Sequence, residues 1–460
     1  MGIATQVLGF LLSLTFLIFT HELGHLFFAR LFKTRVDKFY LFFNPGFSIM
    51  RMKKVGGKFR FSFFSSNPPE EWAEEPDNTE WGLGWLPLGG YCSINGMVDE
   101  TTKPGELPEE PQPYEFRSKP AWQRFFIISG GVLVNFISAM VIFIAVLYAW
   151  GEEYIPLSNA KYGIQFTEVA KNMGFQDGDN IISVNGYHPK DVADFSKTLL
   201  LDNVNEVTIE RHGEIATVNI PKDVAQQILK AEGNFCKYNH PFVIGAVSSG
   251  SPAEKAGLQA GDSIVGVNDN PYISLFSFQG LLAENKGQPV LIEYYRAGIP
   301  AQDTVVLDDN GLLGVALKGP ESFFSIQKEL YTFTESIPKG IEKGVNTLGD
   351  YVKQFKLIAS KEGAKQLGGF ITIGSIFPET WDWQRFWTMT GFLAIVLAFM
   401  NILPIPALDG GYLVFILAEM ITRRKPSEKL IGYANMIGFS LLILLLLYAN
   451  GMDLVRVFIK

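Results

Sequence analysis

His21, Glu22 and His25 are the residues from which a reaction can be built, because they set two imidazoles and a carboxylate into little more than one turn of an apolar stretch. On a helix, positions four apart lie one above the other. His21 and His25 can therefore offer two nitrogens to one metal ion, with Glu22 beside them as a base. From Ile3 to Phe28 there is no Lys, Arg or Asp. At ~1.5 Å per residue this is long enough to cross a hydrocarbon layer of ~30 Å. Ionisable groups inside such a segment are costly and point to function. On a soluble helix H-E-x-x-H would be weak, since surface polarity explains it equally well. Neither a solvated face nor a core histidine explains three polar groups inside an apolar helix.

A catalytic zinc takes three protein ligands and keeps one position open. The chain has five histidines, and His188, His212 and His240 fall in the long polar region between spanning segments. By elimination the third ligand is an intramembrane carboxylate, and Asp409, behind Pro404 and Pro406 and ahead of Gly410-Gly411, is the candidate. Two neutral imidazoles and one carboxylate leave the metal site net positive, so bound water loses a proton near neutral pH. Glu22 accepts that proton and delivers it to a leaving amine. The reaction class is amide hydrolysis, and a helical substrate must first unwind to bare its carbonyl. Asn401 and an exposed edge of the 39–63 strands are candidates to hold the extended chain, with polar packing the alternative for Asn401. Asn135 is the other intramembrane amide, open to substrate contact or to tying helices together.

The elements that must position these groups follow from hydropathy. The chain has 460 residues, 47% hydrophobic and 19% charged, which suits a protein part membrane and part soluble, in two or three domains. A net charge of -8 speaks against nucleic acid as a partner. Cys92 and Cys236 read as two free thiols. The N-terminus has neither a basic n-region nor a small-residue cleavage site before His21, so the first segment is expected to stay in place. Arg30, Lys33, Arg35 and Lys38 put its C-terminal end in the cytoplasm, with the site below the membrane surface near that face.

The expected fold is an α-helical polytopic membrane protein of about four transmembrane helices, with a membrane-associated β-hairpin or sheet region and two extracytoplasmic α+β repeats. Residues 1–31 form the first helix. Residues 32–119 form a β region, with Asn44-Pro45-Gly46 and Val55-Gly56-Gly57 as turns and a flexible acidic insertion from Asn67 to Trp81. Residues 120–150 span again. The repeats are expected over 152–222 and 236–320, because Gly174–Asn185 matches Gly257–Asn268 at an offset of about 83 residues. That pattern resembles the PDZ signature, a fold that takes peptides by strand addition. Residues 321–380 show apolar positions at steps of three and four from Ile326 to Phe355, with Pro338 starting a second amphipathic helix. Residues 384–422 form a Pro-broken spanning region whose break carries Asn401 and Asp409, and 429–449 form the last helix.

His21-Glu22-Leu23-Gly24-His25, Asn401 to Gly411, Leu86-Pro87-Leu88-Gly89-Gly90-Tyr91 and the doubled repeat together resemble the site-2 family of intramembrane metalloproteases. The two repeats resemble its bacterial regulator-of-sigma-E branch. The resemblance covers nearly the whole chain. It implies one zinc per chain on His21, His25 and Asp409, with Glu22 as catalytic acid/base. It also implies a bacterial inner-membrane location. The implied partners are the lipid bilayer, single-span substrates such as trimmed anti-sigma factors or remnant signal peptides, and peptides or bulk excluded at the repeats. Three local departures stand out: Gly130-Gly131 ahead of Asn135, Gly369-Phe370-Ile371, and the acidic insertion. The rival readings are a membrane-anchored PDZ adaptor with a decayed metal site, which should lack one of the four groups, and a peptidase of small soluble peptides, which leaves the depth of the site unexplained.

Overall fold

The computed structural model describes residues 2–87, 89–97, 110–231, 234–268, 270, 275–358 and 360–458, so Leu88 of the Leu86–Tyr91 stretch lies outside the described residues. The chain divides into two compact units. One comprises Met1–Gly151, Leu330–Lys356 and Leu367–Lys460; the other comprises Glu152–Glu329 and Leu357–Gln366.

The first unit is built on helices α1 (Gly2–Leu31), α2 (Ala121–Trp150), α3 (Phe333–Ile358), α4 (Trp383–Ile402), α5 (Asp409–Thr422) and α6 (Glu428–Phe458). Four of these, α1, α2, α4 and α6, are long and apolar enough to cross a membrane. Helix α2 stops at Gly151, whose φ of 73° only glycine adopts without strain. Helix α4 starts at Asp382, whose side chain accepts from the Arg385 amide. It ends at Leu403, forced into extended backbone (φ -60°, ψ 144°) by the following Pro404. The 384–422 region is thus two helices separated by residues 403–408. Asn401 lies in the last turn of α4 and Asp409 opens α5, so the two flank the break where the sequence reading put them inside it. Leu17, Ala139, Phe143, Ala394 and Ile395 join α1, α2 and α4 in one core. The Arg124–Glu419 ion pair, 2.5 Å long and about nine-tenths buried, ties α2 to α5.

Helix α3 differs from the expectation of two amphipathic helices. Gln327–Glu329 is a strand paired with Glu152–Tyr154, so Ile326 and Leu330 stand outside any helix. Pro338 lies inside the single helix Phe333–Ile358. It sits near the N-terminal end, where only one interior hydrogen bond is lost to the missing N–H. Ser336, Gly340 and Gly344 line the buried face. A Cβ on Gly340 would come within 2.6 Å of the Ile144 backbone nitrogen, so these small residues let α3 lie closely on α2.

A five-stranded sheet of order β3-β2-β4-β1-β5 packs on α1, with β1 Val36–Leu41, β2 Ser48–Val55, β3 Lys58–Ser65, β4 Glu80–Leu83 and β5 Tyr91–Ile94. The hairpin turn Gly56-Gly57 has positive φ at both residues, as a type I′ connection requires. Phe59, Phe61 and Phe63 on edge strand β3 are all more than half exposed. Asn67 to Trp81 is ordered, contrary to the flexible insertion expected from its composition. Trp72 is 2% exposed, Lys53 donates to its carbonyl, and Glu75 and Asn78 bond to the hairpin backbone. Glu80, inside β4, accepts from both Tyr40 and Arg51. One buried tryptophan and a few bonds to strand ends outweigh a polar composition.

The second unit holds two copies of one fold, and both keep the same internal clasp. In the first, Arg211 makes a bidentate contact with Asp179 and donates to the Gly174 carbonyl. In the second, Arg296 does the same with Asp262 and Gly257. The copy boundary differs from the expected one. Cys236–Tyr238 pairs with Ile164–Phe166, and Val224, Phe235 and Cys236 belong to the first core, so that copy runs past 222 to about Tyr238. Burial pushes the Cys236 thiol up to about 12, which keeps it inert.

The Arg296 guanidinium beside Asp262 holds its carboxyl below the usual carboxylate value. A depressed folded pKa contributes stability that is present above the unfolded value of ~3.9 and is lost as pH falls through the folded one. In the full chain, Asp262→Asn is therefore expected to reduce hydrogen-exchange protection of Ser263–Val267 and Pro289–Arg296 at pH 7. The gap from wild type should close as pH falls through the folded carboxyl's value, since the protonated acid loses the charged contact. A gap that stays the same size across that acid titration would contradict this role.

Candidate metal centre

Helix α1 delivers His21, Glu22 and His25, and the start of α5 delivers Asp409. Asp409 Oδ2 lies 3.2 Å from His21 Nε2 and 3.4 Å from His25 Nε2, and the two Nε2 atoms are 3.2 Å apart. Ligand atoms held tetrahedrally at ~2.0–2.1 Å from a zinc ion are about 3.3–3.4 Å from one another. The three edges match that figure. Asp409 Oδ2 is buried without a hydrogen-bond partner. His21 Nε2 meets His25 Nε2, Asp409 Oδ2 and Asn401 Nδ2, the last at 3.3 Å. One nitrogen cannot satisfy three such neighbours by hydrogen bonding, whereas a cation between them satisfies the two nitrogens and the carboxylate together. Among the described residues, His21, His25 and Asp409 are the group assembled in this way. The residues present fit zinc.

The His25 tautomer follows from its surroundings. Its Nδ1 lies 2.9 Å from the Ile127 carbonyl, which can only accept, so Nδ1 carries the proton and Nε2 keeps its lone pair for a metal. Around His21, Asn135 lies 3.4 Å from Nδ1 and also contacts the Thr20 hydroxyl, at 2.9 Å. Thr20 reaches the Phe16 carbonyl at 3.0 Å. Asn135 is fully buried, so the structure places it behind a histidine, away from the open cavity.

Helices α1 and α2 approach backbone to backbone here. A Cβ on Gly24 would meet the Gly130 carbonyl at 2.2 Å, and one on Gly131 would meet His21 Cε1 and His25 Nε2 at 2.5 and 2.6 Å. The Gly130-Gly131 pair therefore makes room for the imidazoles. On the other side, a Cβ on Gly90 would strike Ile18 Cγ2 of α1 at 2.8 Å and come within 3.6 Å of Glu22 Cγ, so Gly90 lets the sheet lie on α1 beside Glu22.

A cavity of about 790 Å³ opens on the centre, lined by His21, Glu22, His25 and Asp409 and by β5 from Tyr91 to Ile94. The outer strand along the cavity is thus β5; of the 39–63 strands, Phe39–Leu41 is interior and the other outer strand, β3, does not line the cavity. Cys92 lines the same cavity; burial and the Glu22 charge hold its thiol well above its ordinary value, so it stays protonated. Sequence reasoning missed Thr20, the Ile127 carbonyl, Gly131 and β5. A backbone carbonyl has no signature in the sequence, whereas the polar Thr20 beside His21 was a usable signal. Asn435 of α6 also lines the cavity, and as an amide in an apolar span it too was visible.

Gly131→Ala is expected to displace the imidazoles and lower the zinc content of purified protein at least about tenfold, since ligand placement is lost without any ligand being changed. Metal analysis showing full zinc in that variant would contradict the packing described.

The profile of peptidase family M50 matches residues 9–66 and 68–445. A protein of Neisseria meningitidis named, provisionally, as a zinc metalloprotease is 28% identical over 98% of this chain and 99% of its own length. The protease RseP of Yersinia pestis is 26% identical over 97% of each chain. The regulator of sigma E protease of Haemophilus influenzae is 26% identical over 97% of this chain and 98% of its own. The chain belongs to peptidase family M50 and is a zinc metalloprotease of the site-2 type.

Proposed function

We propose that this member of peptidase family M50 cuts the membrane-spanning segments of single-span proteins, with one zinc per chain held by His21, His25 and Asp409 and with Glu22 as the acid/base. The observation that carries the reading is the convergence of the three ligand atoms within 3.4 Å, inside segments otherwise apolar enough to span. Bound there, zinc supplies a Lewis acid that activates water and polarises the scissile carbonyl. Glu22 takes the proton of the attacking water as the new C–O bond forms. It returns the proton to the amide nitrogen as the C–N bond breaks. The Asn135 amide lies with its nitrogen at His21 Nδ1 and its oxygen accepting from Thr20; with His21 Nε2 given to a metal, Nδ1 carries the proton, so the amide is turned over, its oxygen accepting from Nδ1–H and its nitrogen donating to Thr20, whose hydroxyl donates to Phe16. Asn401, relieved of His21 Nε2 once that nitrogen is a ligand, is free to donate to the substrate carbonyl. In this reading Asn135 orients a ligand and Asn401 touches substrate.

The outer edge of β5, which pairs with no second strand among the described residues and faces the cavity, supports strand addition as the way an unwound substrate is held. The basic residues 30–38 and 423–425 support a topology with the β region cytoplasmic and residues 152–329 outside, in a bacterial inner membrane. The two copies are read as PDZ domains. The edge strand Val315–Leu317 after the Gly311–Gly314 turn supports peptide binding there. The name of the Haemophilus relative supports a substrate tied to sigma-factor control; an anti-sigma factor already trimmed outside, in a stress response, with remnant signal peptides as a second class, is what the family resemblance adds.

Co-expression with a tagged, outwardly trimmed single-span substrate tests the reading. Wild type should convert it, and Glu22→Gln should keep its zinc while slowing cleavage at least about 100-fold. His21→Ala and Asp409→Ala should each lose the metal. Zinc-loaded wild type that leaves every such substrate intact would overturn the intramembrane assignment. For topology, engineered cysteines at exposed positions of 152–329 should react with an impermeant reagent from outside, and cysteines in 67–79 should not. The reverse pattern would invert the orientation.

A further inference from the structure

Helix α6 is exposed along most of its length: Tyr433, Met436 and Ile437 are 65%, 60% and 67% exposed. Asn435, among them, is 5% exposed. An amide turned inward from an otherwise apolar helix calls for a partner, and its partner lies in the break between α4 and α5. Pro404 and Pro406 have no N–H to place. Leu403 donates to Met400, Ile405 to Leu403 and Leu408 to Ile405, all within the local chain. Ala407 alone among the break's donors reaches outside it, to Asn435 Oδ1 at 3.3 Å.

Ala407 is also the strained residue. Its φ is +74°, a region in which a side chain clashes with its own backbone. Two residues later the chain presents Asp409 to His21 and His25. Asn435 Nδ2 lies 3.5 Å from the Tyr412 hydroxyl on the first turn of α5, so one amide spans both sides of the ligand. One turn on, a Cβ on Gly438 would come within 2.0 Å of the Pro406 carbonyl, so α6 has no other way to lie this close to the break.

We propose that Asn435 is a positioning residue for the metal centre: its side-chain oxygen holds Ala407 in the left-handed conformation that aims Asp409 at the two histidines. The inference rests on the zinc assignment above. It makes the last helix part of the construction of the metal site, although that helix supplies no ligand. Nothing in it depends on Asn435 touching substrate.

The test is zinc affinity of the full chain in detergent, measured by competition with a chelator. Asn435→Leu keeps the volume and removes the acceptor, and should weaken zinc binding by roughly 10–100-fold, the usual effect of losing a partner that orients a ligand. Asn435→Ala, which adds no bulk, should show the same loss and guards against a packing defect special to leucine. Ala407→Gly adopts positive φ without strain, so in the Asn435→Leu background it should restore most of the affinity. A residue that merely stabilised the helix bundle would not be rescued by that change. Asn435→Leu and Asn435→Ala with wild-type affinity would overturn the inference, as would loss without rescue by Ala407→Gly. Wild type that binds no zinc would instead sink the metal assignment itself, so the two failures are distinguishable.

Discussion

Two imidazoles and a carboxylate within 3.4 Å of one another, inside segments apolar enough to span a membrane, set the constraint on which the rest of the first unit depends. On the side of the rings turned away from the cavity, a buried ring nitrogen has to be answered by protein. The Ile127 carbonyl answers His25 Nδ1, and Asn135, itself bonded to the Thr20 hydroxyl, answers His21 Nδ1. These contacts need the backbones of α1 and α2 to lie closer than side chains allow, which is why Gly24, Gly130 and Gly131 meet there.

The broken helix solves a second part of the same problem. An unbroken helix from Trp383 to Thr422 would carry Asp409 past the histidines with its backbone sealed. The two prolines end α4 and let α5 begin beside them, with Asp409 at its first position, where a carboxylate also suits the positive end of the helix dipole. The Arg124–Glu419 pair anchors the far end of α5. The sheet completes the enclosure from the other side. Gly90 allows it to reach α1, β5 faces the cavity, and the acidic strap holds the hairpin by Trp72 and the Glu80 bonds to Tyr40 and Arg51.

The second unit works under different rules. Its core is rich in phenylalanine in the first copy, where Phe166, Phe175, Phe195 and Phe235 form one linked cluster, and mostly aliphatic in the second. What the copies share is the turn that the sequence repeats, and the shared turn is held by one arginine reaching back from a later strand to an aspartate and a carbonyl. Conserving that clasp within one chain keeps the backbone path while the interiors diverge.

The grouping of His21, His25 and Asp409, the long apolar helices, the Pro-broken segment and the doubled domain were legible in the residues, because each rests on a local rule: helical spacing, span length, proline's missing N–H, or a repeated turn. Where the reading failed, the deciding contacts were remote in sequence. Composition made 67–81 a flexible loop, but Trp72 and Lys53 lie on different elements and meet only in the fold. Periodicity extended an amphipathic helix back to Ile326, but Gln327–Glu329 pairs with Glu152–Tyr154, more than 170 residues earlier. An exposed edge within 39–63 is expected beside the site, whereas the strand along the cavity is β5, because the strand order β3-β2-β4-β1-β5 puts the 39–63 edge, β3, at the far side of the sheet by pairings no local pattern encodes. The same holds around the centre: His25 meets the Ile127 backbone oxygen and Asn435 meets the Ala407 amide in the break between α4 and α5, and only the packing of helices decides which backbone groups lie within reach.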